Sequence, residues 1–104
     1  MSPELLLLVA DRFKVLADPA RLRLLSALRD GERTVTELVE LTGLSQANTS
    51  KHLALLHTTG FVRKRKEGLF AYYALADRQI FKLCDIMCER ISVEVEGRAR
   101  ALAQ

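Results

Sequence analysis

Between Gly43 and Leu75 the chain reads GLSQANTSKHLALLHTTGFVRKRKEGLFAYYAL, a stretch whose hydrophobic period changes midway. No other segment limits the fold so tightly. Ser45 has the short hydroxyl of a helix cap, and the segment beyond it spaces its apolar residues for a helix reaching about Thr59. At about 100° per residue, Thr49, Leu53 and Leu56 gather on one side with His52 and Leu55 beside them. Ala47, Ser50, Lys51 and Ala54 face away, flanked by Gln46 and Asn48. After Gly60 the pattern becomes that of a β-hairpin: Phe61 and Val62, the basic run Arg63 to Lys66, Glu67-Gly68 as the tip, then the aromatic-rich LFAYYAL. Tyr72 and Tyr73 alternate across the second strand, which predicts one in the core and one near the surface.

Charge follows the same segment. Leu44 to Leu75 contains five cations, Lys51, Arg63, Lys64, Arg65 and Lys66, against the single acid Glu67, while the whole chain carries a net +3. The remainder is therefore close to neutral, and the positive charge sits where a helix and a hairpin together suit a polyanion. A basic run alone is as often a solvated strand. The helix before it is what favours nucleic acid.

The rest of the chain supplies a frame for this unit. Ser2, Pro3 and Glu4 form a helix start, and helix 1 is expected over about residues 3–17. Leu5 to Val9 point in every direction around its axis, more apolar surface than one domain face can bury. Asp18-Pro19 starts helix 2, whose Leu22, Leu24, Leu25 and Leu28 make a stripe before Asp30-Gly31 ends it. Thr34 to Glu37 is a capping box opening a short helix 3 through Val35, Leu38, Val39 and Leu41, and Gly43 stops it. The link Gly43-Leu44-Ser45 between two brief helices is a helix-turn-helix turn. Asp77 is expected to cap helix 5, over about residues 77–103, with Ile80, Cys84, Met87, Ile91 and Val95 as its stripe, Phe81 and Cys88 at the edge, and packing on helix 1 and a partner copy.

The fold class that results is mostly α (α+β): a winged helix-turn-helix of five helices and a β-hairpin wing, ordered α1-α2-α3-α4-β-β-α5, in a single domain over 1–104. Helices 1 and 5 are expected to form a homodimer interface. The longest apolar run, Leu5 to Ala10, is far too short to span a bilayer, and the N-terminus lacks a basic leader. A cytoplasmic protein is expected. Gly-rich phosphate loops and the H-E-x-x-H and G-x-S-x-G motifs do not occur, so catalysis is not expected.

In such a fold the start of helix 4 enters the major groove of double-stranded DNA and the wing grips phosphates. Gln and Asn pair bidentately with adenine, Ser and Thr read less specifically, and Lys reaches phosphate or guanine. The expected DNA contacts are Ser45, Gln46, Ala47, Asn48, Thr49, Ser50, Lys51 and His52 on the helix, with Arg63, Lys64, Arg65 and Lys66 on the wing. For His52 a phosphate contact and simple packing stand equal. His57 is expected at the helix C-terminus, where the dipole favours it.

LSQANTSKHLALLHTTGFVRKRKEG resembles the LSQSTVSRHLAxLrxAGLVxxRReG signature of the ArsR/SmtB family of winged-helix transcriptional repressors. FKVLADPARLRLLSAL is similar to that family's second-helix segment, and YYAL with the long last helix extends the likeness over nearly the whole chain. The resemblance implies a homodimer, a palindromic operator and release from DNA by an effector. It does not carry the family's metal sites across. The C-x-C of arsenic-type members falls on Thr34 and Thr36, and the helix 5 ligands of zinc-type members fall on Asp77, Gln79, Arg90 and Val93, of which only Asp77 can ligate.

Cys84 and Cys88 have two readings. Free cysteine behaves as a small buried hydrophobe, so both can simply pack. Their i, i+4 spacing also sets two thiols on one helix face, and a two-fold axis near helix 5 would gather four, a set suited to a thiophilic metal, a metalloid or an oxidant. An internal disulfide is disfavoured, since Cβ atoms about 5 to 6 Å apart on a helix exceed the roughly 3.8 Å such a bond needs. Two further readings of the fold are a winged-helix protein-interaction module and a constitutive DNA-binding protein without effector.

Overall fold

The computed structural model of the chain describes residues 1–103, so Gln104, the last residue of the expected domain, lies outside the described residues. Elements follow in the order α1 (Pro3–Leu16), α2 (Pro19–Ala27), β1 (Arg33–Thr34), α3 (Val35–Thr42), α4 (Gln46–Thr58), β2 (Val62–Glu67), β3 (Phe70–Leu75) and α5 (Ile80–Ala103). The winged helix-turn-helix is present as expected, with one addition. β1 joins the hairpin as a third antiparallel strand, in the order β1-β3-β2, with Arg33 opposite Tyr73 and Thr34 opposite Tyr72. A two-residue strand is too short to display an alternating pattern, and for that reason the sequence conceals it.

Capping residues place the helix starts. Ser2 Oγ accepts from the Leu5 N–H at 3.2 Å, and Asp18 Oδ1 accepts from Ala20 at 2.9 Å and Arg21 at 3.1 Å. Thr34 Oγ1 accepts from the Glu37 N–H at 3.2 Å while Glu37 Oε1 accepts from the Thr34 N–H at 3.1 Å, a complete capping box. Between α3 and α4, Gly43 adopts φ +74°, a left-handed turn that a side chain would strain, and Ser45 Oγ then caps α4 through the Asn48 N–H at 3.1 Å.

The core lies where α2, α3 and α4 meet the sheet: Leu24, Leu25 and Leu28, Leu38, Leu53 and Leu56, with Val62, Tyr73 and Leu75. Burying each such leucine contributes about 1.5 to 3 kcal/mol, so this cluster fixes α4 against the wing. Val15 and Phe81 are the buried apolar side chains of α1 and α5. Arg23 ties α2 to the end of α3 by donating to the Thr42 carbonyl at 3.1 Å.

Several expectations are corrected. Leu22 and Leu41 are 40% and 57% exposed, so the α2 and α3 stripes are narrower than their spacing suggests. The hairpin tip is Gly68-Leu69, not Glu67-Gly68, because Glu67 still pairs with Phe70. Gly68 has φ +59°, as the first central position of a type II′ turn requires. Asp77 caps a turn by accepting from the Gln79 N–H at 2.8 Å, and α5 begins only at Ile80. Packing of α5 within the chain is confined to its start. Ile80, Phe81 and Cys84 are at least partly covered, whereas every residue from Asp85 to Leu102 is exposed.

Candidate nucleic-acid interface

Helix α4 divides cleanly into two faces. Thr49, Leu53 and Leu56 are buried, while Ser45, Gln46, Ala47, Asn48, Ser50, Lys51 and Ala54 are exposed. Thr49 therefore leaves the expected contact set: its side chain is fully buried and its hydroxyl donates to the Ser45 carbonyl at 2.8 Å. The exposed set surrounds the helix N-terminus, where unpaired backbone N–H groups favour an anion.

His52 has a partner that neither of its two readings contained. Its Nδ1 lies 3.3 Å from Nη1 of Arg21, whose Nε donates to the Val15 carbonyl at 2.6 Å and whose guanidinium pairs with Asp18 at 3.7 Å. A guanidinium only donates, so Nδ1 is the acceptor in this contact, and among the described residues Nε2 forms no hydrogen bond. Hydrogen bonds from the Arg21 backbone, then the Arg21 charge, hold the Asp18 carboxyl below its ordinary value. Arg21 thereby joins the end of α1, the start of α2 and α4. Its role was not legible in the sequence, since no local spacing links it to His52.

On the wing, strand parity separates the four cations. Val62, Lys64 and Lys66 stand opposite Leu75, Tyr73 and Ala71 on the face that packs against the helices. Lys64 Nζ lies 5.8 Å from the centre of the Tyr73 ring, and among the described residues neither Lys64 nor Lys66 forms an ion pair. Arg63 and Arg65 stand opposite Ala74 and Tyr72 on the other face. Arg63 donates to the Leu75 carbonyl at 3.4 Å.

Arg65 is held on three sides. Nε and Nη2 form a fork onto Glu32 at 3.2 and 2.6 Å, Nη1 donates to Glu67 at 2.5 Å, and the guanidinium lies 4.4 Å from the centre of the Tyr72 ring. These carboxylates push the Arg65 pKa up, and the Arg65 hydrogen bond holds Glu32 below its ordinary value. Tyr73 is buried and Tyr72 half-buried, the division their alternation predicts.

Cys84 is half-buried and Cys88 exposed. Among the described residues no group of three or more His, Cys, Asp or Glu side chains is placed to hold a metal ion. Arg29 steadies the start of α5, lying 4.0 Å from the Phe81 ring centre and 3.9 Å from Asp85. Among the described residues no helix is long and apolar enough to cross a membrane.

This geometry has close counterparts. Residues 18–64 match the family of bacterial regulatory proteins described as the arsR family. Over 71 residues, 68% of this chain, the sequence is 42% identical to a probable mercury resistance operon repressor of Streptomyces lividans, of which it spans 57%. The uncharacterized HTH-type transcriptional regulator Rv0081 of Mycobacterium tuberculosis is 39% identical over 102 residues, 97% of this chain and 90% of that one. Its crystal structure superposes with a TM-score of 0.79, covering 95% of this chain and 99% of that one at 33% identity. The homodimeric winged helix-turn-helix DNA-binding domain of Mb0332 from Mycobacterium bovis, a possible ArsR-family regulator, gives 0.78 at 31% identity, with 93% of each chain covered.

Proposed function

Because the chain belongs to the ArsR family of bacterial regulatory proteins, we propose that it is a cytoplasmic, homodimeric repressor that binds a palindromic operator and is released from it by an effector. The observation that carries the reading is the exposed N-terminal face of α4 on a helix fixed by the same core as the strand that carries Lys64 and Lys66, neither of which forms an ion pair among the described residues. Gln46, Asn48 and Ser50 read base edges, with Ala47 small enough for close approach. Ser45, Lys51, His52 through Nε2, Lys64 and Lys66 contact phosphates, and Arg63 lies at the edge of that footprint. No catalytic role is assigned.

The second copy is supported by what α1 and α5 leave uncovered. Leu5, Leu6, Leu7, Leu8 and Phe13 on α1, and Ile86, Met87, Ile91, Val93 and Val95 on α5, are each about half exposed or more. Monomers rarely present so large an apolar patch. The radius of gyration of 16.6 Å exceeds the roughly 13 Å of a compact chain of this length, in keeping with a protomer completed by a partner.

Effector release is assigned to Cys84 and Cys88, which a two-fold axis along α5 would bring together as four thiols suited to a thiophilic metal, metalloid or oxidant. The exposure of Cys88 supports this over packing within the protomer.

Electrophoretic shift of a duplex carrying the operator, repeated across salt concentrations, tests the reading. Binding that weakens steeply with salt supports it. A salt-insensitive protein partner with no DNA shift would instead mark an interaction module.

A further inference from the structure

Arg65 looks like one more basic residue of the wing, yet its surroundings differ from those of its neighbours. Its fork onto Glu32, its bond to Glu67 and its stacking on Tyr72 occupy both edges and one face of the guanidinium. The three charged groups sum to −1, so this cluster offers a phosphate no net positive charge. Glu32 directly precedes β1, and Thr34 of β1 is the cap of α3. The fork therefore runs from β2, across β3, to the residue that leads into the helix-turn-helix.

We infer that Arg65 and Glu32 are positioning residues that lock the wing to the start of the helix-turn-helix, and that Arg65 is not a phosphate ligand. The inference rests on the DNA-binding reading for its consequence, though the lock itself does not. A two-stranded ribbon alone is marginally stable, and β1 and this cluster brace the wing beyond the core. With the angle fixed, Lys64 and Lys66 reach the backbone already placed, and less ordering accompanies binding. Isolated surface ion pairs contribute little, but a bidentate arginine within a network is the exception.

Charge-conserving variants separate positioning from contact. Arg65→Lys keeps the cation and loses the planar fork, and Glu32→Asp keeps the anion and shortens its reach. Both sites are about half exposed, so neither change threatens the core. Each variant should weaken binding to a mixed-sequence duplex about two- to fivefold with an unchanged slope of log affinity against log salt. Lys64→Ala, the reference, should flatten that slope by about 0.9. Hydrogen exchange of the β2 and β3 amides should quicken in both variants while that of α4 stays the same.

A phosphate-binding Arg65 predicts otherwise: Arg65→Lys would bind as the wild type does, and Arg65→Ala would flatten the slope as Lys64→Ala does. Either result, or unchanged exchange in the wing, overturns the inference. If the unmodified protein binds no duplex, the DNA-binding reading fails on its own, and the exchange data still decide whether the lock exists.

Discussion

At the residue scale, side chains of one chemical class fall into different roles once their neighbours are known. Lys64 and Lys66 point from the packed face of the wing and are unpaired among the described residues, whereas Arg65 is held by two carboxylates. Alanine at Lys64 or Lys66 should weaken binding to all duplexes alike and lower the salt slope by about 0.9 each, measured by fluorescence anisotropy. Alanine at Gln46 or Ser50 should instead change which bases are preferred, at about 1 to 3 kcal/mol per lost base contact in competition against substituted duplexes. If the lysine variants shift preference and the Gln46 variant does not, the two roles are reversed. The outward face of α4 was legible because Thr49, Leu53 and Leu56 share one side of a helix. Thr49's burial was legible too, from that same periodicity, and its polarity alone had suggested a DNA contact. The partners of Arg65 and His52 were not legible, since Glu32 and Arg21 lie 33 and 31 residues away in the chain.

At the scale of elements, the helix starts carry a pH dependence of defined sign. Backbone and hydroxyl hydrogen bonds from Thr34 hold the Glu37 carboxyl below its ordinary value, as the Arg21 backbone N–H does for Asp18 and the Arg65 side chain does for Glu32. The unfolded chain therefore binds more protons in the acid range, and folding stability falls as the pH drops through about 4.5 and below. Melting temperature followed by circular dichroism should decline there, and Glu37→Gln should make the decline shallower. An unchanged profile would detach the capping box from acid stability. These caps follow local rules of a few residues, which is why the helix starts could be read ahead of the structure. β1, the Gly68-Leu69 tip and the delayed start of α5 depend on pairing and on tertiary contacts, which a local pattern does not encode.

For the whole molecule, the uncovered sides of α1 and α5 dominate. A dimer is expected at micromolar concentration in sedimentation, and a monomer would remove the basis for a palindromic operator. Serine at Cys84 or Cys88 should leave DNA affinity intact while abolishing release by a thiophilic metal or an oxidant. Two thiols unreactive until denaturation, with alanine variants that still respond to the inducer, would show that these cysteines only pack and move the effector site elsewhere. The uncovered leucines of helix 1 were legible in the sequence from their excess over one face, while the isolation of α5 beyond its first turns was not, because its apolar stripe reads the same whether it packs inside the chain or against a second copy.

The central claim is that two copies present paired α4 faces to DNA, and selection from a random pool of duplexes tests it most directly. The enriched sequence should be an imperfect palindrome with half-sites about 10 base pairs apart, set by the spacing of adjacent major grooves on one face of the helix. No enrichment, or enrichment of a single isolated half-site, would contradict it.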